Sequence, residues 1–240
     1  MPKLGLSSSL SSSGGLITPG IVTDNLVLKH NYSAGAVVPV SDGAAYFDGT
    51  NDYFYSSIPE AVWEGNFSIS MWIYKIETGT DSLVDCVDSD NDGIQLFYNS
   101  DTKLVLSLNS TDLTASTASS TNEWIHVAAV QDDDNNDQQL YINGVKAVAD
   151  GSADVAVDVG SSQATYFGTR TDGSSQDFKG YMTNVGIWNI SLTQPQVKSI
   201  MWKQYADLTS TESSGLQAWY ALDTNANDSV GNYNGTTGGF

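Results

Sequence analysis

The chain has 240 residues, enough for one large all-β domain that would bury roughly three quarters of its unfolded surface and fold without a covalent staple. Apolar residues make up 40%, too many for a disordered chain, and no apolar run approaches the roughly 20 residues of a membrane-spanning helix. With 28 acidic against 9 basic side chains the net charge is −19, a field that repels nucleic acid and anionic lipid and argues against both as partners. Cys86 is the only cysteine, which excludes an intrachain disulfide and a zinc cluster.

Residues 1–15 lack the apolar core of a secretory signal, and 7–15 (SSSLSSSGG) form a low-complexity tract. The pieces 16–22, 25–29 and 36–40 are short, apolar and broken by Pro19 and Pro39. Residues 1–43 are therefore expected to be an arm with edge strands, and residues 44–240 the domain. From residue 44 the chain alternates on a period of two. Strands are predicted over 45–47, 67–74, 94–98, 104–108, 124–130, 139–142, 166–167 and 182–188. Turn signals separate them: DGTND, DNDG, DDDNND, NGV and DGSS. Gly144, after Asn143, supplies the positive φ of a tight hairpin. Thr193-Gln194-Pro195-Gln196 is a capping box with proline in the first turn, and Val197, Ile200 and Met201 follow on one face. The spacing predicts one short helix over 193–204, packed on a two-sheet sandwich.

Four stretches occur in a telling order. They are AAYFDGTNDYF (44–54), FSISMWIY (67–74), WIHVAAV with LYINGVKA (124–130 and 140–147), and YFGTR…FKGYMTNVGIWNISLTQPQVKSI (166–200). This series resembles the laminin-G/pentraxin-like branch of the concanavalin A-like lectin and glucanase superfamily over residues 44–201. The resemblance implies an all-β, antiparallel jelly-roll β-sandwich. The stretch WYALDTNANDSVGNYNGT (219–236) looks like the strand and turn that open such domains, yet here it comes last. Residues 216–240 then either take the usual slot from the other terminus or complete a neighbouring subunit.

Catalysis is not expected. Retaining jelly-roll glucanases need two carboxylates about 5 Å apart on one strand, with an aspartate between two glutamates. Here the only close glutamates, Glu60 and Glu64, have Val62 between them, and His30 and His126 lie in no Ser/His/Asp motif. His126 reads as a sheet histidine. The resemblance implies a calcium site in which Asp90 and Asn91 match an Asp-Asn pair and Asp172 stands for one loop ligand. Solvated hairpin turns are the competing reading. Sugar binding is the family's common trade, and Trp63, Tyr53 and Tyr55, in loop-like surroundings, are the candidate glycan platform.

Three functions follow as expectations. First comes a non-catalytic virion structural protein, a phage capsid-decoration or tail-fibre component with a lectin-like jelly roll that adheres to glycans. The acidic chain with its Ser/Gly arm is similar to structural proteins of marine bacteriophages. A secreted carbohydrate-binding module is the alternative, and a glycosidase the second alternative. The partners implied are other virion subunits or a second copy, with cell-surface glycan, at a particle surface.

Overall fold

Among the described residues, the register of fourteen strands decides which side chains reach a surface and which fill the core. A computed structural model describes residues 41–88, 90, 92–148, 157–160, 163–171 and 176–240, all within one unit spanning Val38–Phe240. Of the expected arm, residues 1–40 lie outside the described residues.

The first sheet contains β1 (Ala45–Asp48), β3 (Phe67–Lys75), β8 (Trp124–Asp132), β9 (Asp137–Ile142), β10 (Val145–Lys146), β12 (Lys179–Trp188) and β13 (Leu216–Tyr220). Its order is β1-β12-β3-β8-β9-β10, with β13 also paired to β12. The second sheet contains β2 (Tyr53–Ser56), β4 (Asp81–Val87), β5 (Gly93–Tyr98), β6 (Leu104–Leu108), β7 (Thr111–Thr114), β11 (Thr165–Phe167) and β14 (Thr236–Gly238). Its order is β14-β2-β11-β4-β5-β6-β7, and every pairing in both sheets is antiparallel. The all-β jelly-roll expectation holds.

Alternation explains the two layers. On β3, Phe67, Ile69, Met71 and Ile73 enter the core between the sheets, while Ser68, Ser70, Trp72 and Tyr74 face outward. On the second sheet Phe54, Val84, Leu96, Leu106 and Phe167 meet them from the other side. The hairpin at Asn143-Gly144 adopts φ of 50° and 71°, as two adjacent positive values require of such a turn.

The helix α1 is shorter than expected, Gln194–Ile200 instead of 193–204. Its start is as read: Gln196 Oε1 accepts the Thr193 backbone N–H at 2.9 Å. Its end has a tertiary cause, because the Trp72 indole N–H donates to the Met201 carbonyl at 2.7 Å. The chain then tightens through a bond from Lys203 N–H to the Ile200 carbonyl and leaves the helix. Val197 and Ile200 are buried in a second cluster with Ala128, Val130, Trp188 and Trp219, which covers one half of the outer face of the first sheet. Burial of each aliphatic side chain there contributes about 1.5–3 kcal/mol. Among the described residues, no helix is long and apolar enough to cross a membrane.

The last strands complete the chain's own sandwich. β13 pairs with β12 and β14 with β2, so this one segment supplies a strand to each sheet. Tyr220 is fully buried between them, its hydroxyl 2.7 Å from the Tyr233 carbonyl and 2.8 Å from Ser56 Oγ. Of the two placements open in the sequence, the slot within the same chain is the one observed.

β4 was not among the predicted strands, yet DSLVDCV is a fully buried strand. Its two aspartates are matched by charged or polar partners. Asp81 pairs with Lys75, which lies 5.3 Å above the Tyr98 ring and which burial pushes down to about 8. Asp85 faces the opposite side, where the candidate site lies.

Candidate functional site

The outward positions of the second sheet form a row in register across all seven strands. Thr236 pairs with Tyr55, Tyr55 with Tyr166, and Tyr166 with Asp85; Asp85 pairs with Gln95, Gln95 with Ser107, and Ser107 with Asp112. One end of this row is aromatic and the centre is polar.

The aromatic end holds three half-buried tyrosines. Tyr55 stacks on Tyr166 at 5.4 Å, and Tyr53 stands 5.8 Å from Tyr166 and 6.4 Å from Tyr55. Tyr53 and Tyr55 are on β2, not in a loop, and the period of two puts both on one face. Gly238 faces Tyr53 across β14, and a Cβ there would sit 2.4 Å from the Tyr53 ring. Partial burial, with the neighbouring phenols Tyr53 and Tyr55 adding to it, pushes the Tyr166 hydroxyl above its usual range, so it stays protonated and able to donate.

Beside Tyr166 lies a polar cluster centred on Asp85, which is fully buried. Gln95 Nε2 donates to Asp85 Oδ2 at 2.7 Å, and the Thr171 backbone N–H donates to Oδ1 at 3.1 Å. The Thr171 hydroxyl also donates to Oδ1, and Arg170 Nε is 3.8 Å from Oδ2. Burial pushes the Asp85 carboxyl up, opposed by these donors and by the guanidinium. With Nε2 held by Asp85, the amide of half-buried Gln95 has a fixed orientation. The segment after β11 thus lies over β4, and it brings the chain's single arginine to the rim.

Rings supply apolar faces for the C–H side of a sugar, while an oriented amide and a guanidinium supply polar contacts for its hydroxyls. The row's next carboxylate, Asp112, is three strand spacings from Asp85, roughly 14 Å, whereas paired glycosidase carboxylates stand about 5–9.5 Å apart.

The three aromatic candidates from the sequence have different fates. Tyr53 and Tyr55 come together, whereas Trp63 is a correction. It follows a single helical turn at Glu60–Val62, and its ring is fully buried, 5.6 Å from Phe67 in an edge-to-face contact. A platform needs an open face, and Trp63 has none. Tyr166, Asp85, Gln95 and Arg170 were not singled out. The YFGTR motif contains two of them, but only strand register shows that they meet Tyr55.

Of the expected calcium ligands, Asn91 and Asp172 lie outside the described residues. Asp90 is exposed at the turn between β4 and β5, where Asp88 Oδ1 accepts the backbone N–H groups of Asp90 and Asp92 at 2.8 and 3.0 Å. Among the described residues, no three acidic, histidine or cysteine side chains gather as a metal site. His126 is buried on the outer side of β8, with Nε2 at 2.8 Å from Ser70 Oγ, as a sheet histidine should be.

Comparison with known proteins places this architecture. Residues 48–198, more than half of the chain, match a laminin G-type model of the concanavalin A-like lectin/glucanases superfamily. No curated protein matches the chain. Among solved structures, a protein of inferred carbohydrate-binding function from Bacteroides ovatus superposes with a TM-score of 0.66 at 22% identity. That match covers 81% of this chain, and the chain spans 57% of the length of the Bacteroides protein. The heptameric SAP-like pentraxin of Limulus polyphemus superposes with a TM-score of 0.56 at 14% identity, over 80% of this chain and 93% of the pentraxin. Domain 4 of an extracellular arabinanase from Geobacillus stearothermophilus, in complex with arabinotriose, gives 0.52 at 22% identity, over 69% and 82% of the two chains. At such identities the likeness carries the fold, and β3, β8, β9 and β12, which carry most of the motifs, fall within the matched segment, which begins at the last residue of β1. The chain belongs to the laminin G-like branch of the concanavalin A-like lectin/glucanases superfamily.

Proposed function

We propose that this protein is a non-catalytic carbohydrate-binding module whose sugar site is the outer face of the second sheet. The observation that carries the reading is the Tyr53–Tyr55–Tyr166 cluster abutting the Asp85–Gln95–Arg170 group on one sheet face. The Bacteroides protein and the arabinanase domain support it as relatives in fold, because their descriptions name carbohydrate. They support the module, put second from the sequence, rather than the virion role put first.

In this reading a pyranose or furanose stacks on Tyr55 and Tyr166, and the Gln95 amide and Arg170 guanidinium bond its hydroxyls. Asp85 positions Gln95 and Thr171 and does not itself touch ligand. The test is a glycan array followed by titration of the best ligand against Tyr166→Ala and Gln95→Ala. Loss of one stacking or bidentate contact weakens binding about tenfold, equivalent to about 1.4 kcal/mol. An array on which no glycan is retained refutes the reading, as does a ligand held equally by wild type and Tyr166→Ala.

A further inference from the structure

The first sheet carries a longer row of rings on its own outer face. Tyr46 pairs with Tyr181, Tyr181 with Tyr74, and Tyr74 with Trp124, each pair directly opposite across neighbouring strands β1, β12, β3 and β8. Successive centroids are 5.0, 5.9 and 5.8 Å apart. Helix α1 and its flanks cover the other half of this face and stop at Trp72, whose ring meets Trp202 at 5.5 Å. Beyond that boundary the rings are open: Tyr46 is 43% exposed, and Tyr74, Tyr181 and Trp124 are half-buried. Among the described residues, the hydroxyls of Tyr46, Tyr74 and Tyr181 make no hydrogen bond within the protein.

We propose that this row is a second, separate glycan site that takes one extended strand of a neutral polysaccharide. Three observations select that occupant. Ring spacing of 5–6 Å across four strands matches the repeat of successive sugar units along an extended chain, one ring to each unit. Adjacent rings are tilted by 49°, 77° and 59°, so the row is not a flat plate. A crystalline surface would touch one ring at a time, whereas a single solvated strand can turn from ring to ring. The rim is acidic among the described residues: Asp48, Glu77 and Glu123 flank the row, and the lysine beside them, Lys179, is held by Glu77 at 3.2 Å. That charge repels uronate or sulfate polymers and leaves neutral chains acceptable. The proposal takes its ligand class from the sugar-binding reading but uses no residue of the second sheet.

Affinity electrophoresis of the full chain through gels containing mixed-linkage β-glucan, hydroxyethylcellulose or carboxymethylcellulose tests it. The two neutral polymers should retard the wild type and the anionic one should not. Tyr46→Ala/Tyr181→Ala should raise the apparent Kd at least tenfold, while Tyr46→Phe/Tyr181→Phe stays within about threefold, because the rings remain. Matching melting curves for the variants show that the sheet is intact. Tyr166→Ala should leave this retention in place, which separates the two sites. If Tyr166→Ala abolishes retention and Tyr46→Ala/Tyr181→Ala does not, the row is refuted while the second-sheet site stands. Retention by carboxymethylcellulose alone, or by no polymer, overturns the proposal. So does a dimer in size-exclusion chromatography that Tyr46→Ala/Tyr181→Ala dissociates without changing retention, because the face is then an interface between copies.

Discussion

His126 should make the protein lose stability as the pH falls through the mildly acidic range. Its imidazole is fully buried and Nδ1 has no hydrogen-bond partner, so a proton added there would be both desolvated and unpaired. Burial accordingly holds the group down at about 3, against an ordinary value of 6.5. Below 6.5 the unfolded chain takes up a proton that the folded chain refuses, and the unfolded state gains. Stability is thus complete above about pH 6.5 and drains away as the pH drops toward 3. Between pH 7 and pH 5 the loss from this one group is about 2 kcal/mol. The assay is urea denaturation of wild type and His126→Gln at both pH values. Gln cannot titrate and can keep the contact to Ser70, and the shared carboxylates cancel in the difference between the two proteins. The wild-type-minus-variant stability should fall by about 2 kcal/mol from pH 7 to pH 5. A difference that is flat with pH would show that the imidazole can take its proton in place.

Trp63→Ala should cost about 3–5 kcal/mol through the cavity it leaves, with sugar binding by the folded fraction unchanged. Lost binding with an unchanged melting temperature would return Trp63 to the surface. Tyr220→Phe should cost about 1–2 kcal/mol in chemical denaturation, because the Tyr233 carbonyl and Ser56 lose a buried partner. Deleting residues 216–240 should abolish cooperative melting, since both sheets lose a strand; a well-folded truncated monomer would contradict the pairing of β13 and β14. Calcium shared by Asp90, Asn91 and Asp172 predicts that millimolar calcium raises Tm and that Asp90→Ala removes the gain. Superimposable melts with calcium and with chelator would dispose of that site.

Strands with one apolar and one polar face were legible because their chemistry is local. β3 and β8 alternate regularly enough for the sequence to predict both as strands, over 67–74 and 124–130. β4 was hidden for the opposite reason. Its two aspartates look like turn residues, and what makes them tolerable in a buried strand is remote: Lys75 for Asp81, and Gln95, Arg170 and Thr171 for Asp85. The same non-locality governs the candidate site. Tyr53 and Tyr55 are visible as aromatics, but their third ring lies more than a hundred residues away, and only the pairing of β2 with β11 brings it in. Trp63 failed because the short stretch between two strands that carries it, with Pro59, Glu60, Glu64 and Gly65 beside Ala61 and Val62, does not say which way the ring turns. The end of α1 was unreadable because an indole from another strand takes its terminal carbonyl.

The placement of β13 and β14 also sets a timetable for folding on the ribosome. β2 is translated early, yet its outer neighbour β14 emerges last, and Phe54 waits for Tyr220, its ring partner at 5.2 Å. At about 5–20 residues per second, the interval between making β2 and β13 is roughly ten to thirty seconds. Throughout it the nascent sheets have an open flank with a phenylalanine behind it, able to pair with the same strand on a neighbouring polysome chain. Translation speed and chaperone cover during that interval, more than the stability of the finished domain, should therefore govern how much of it is recovered.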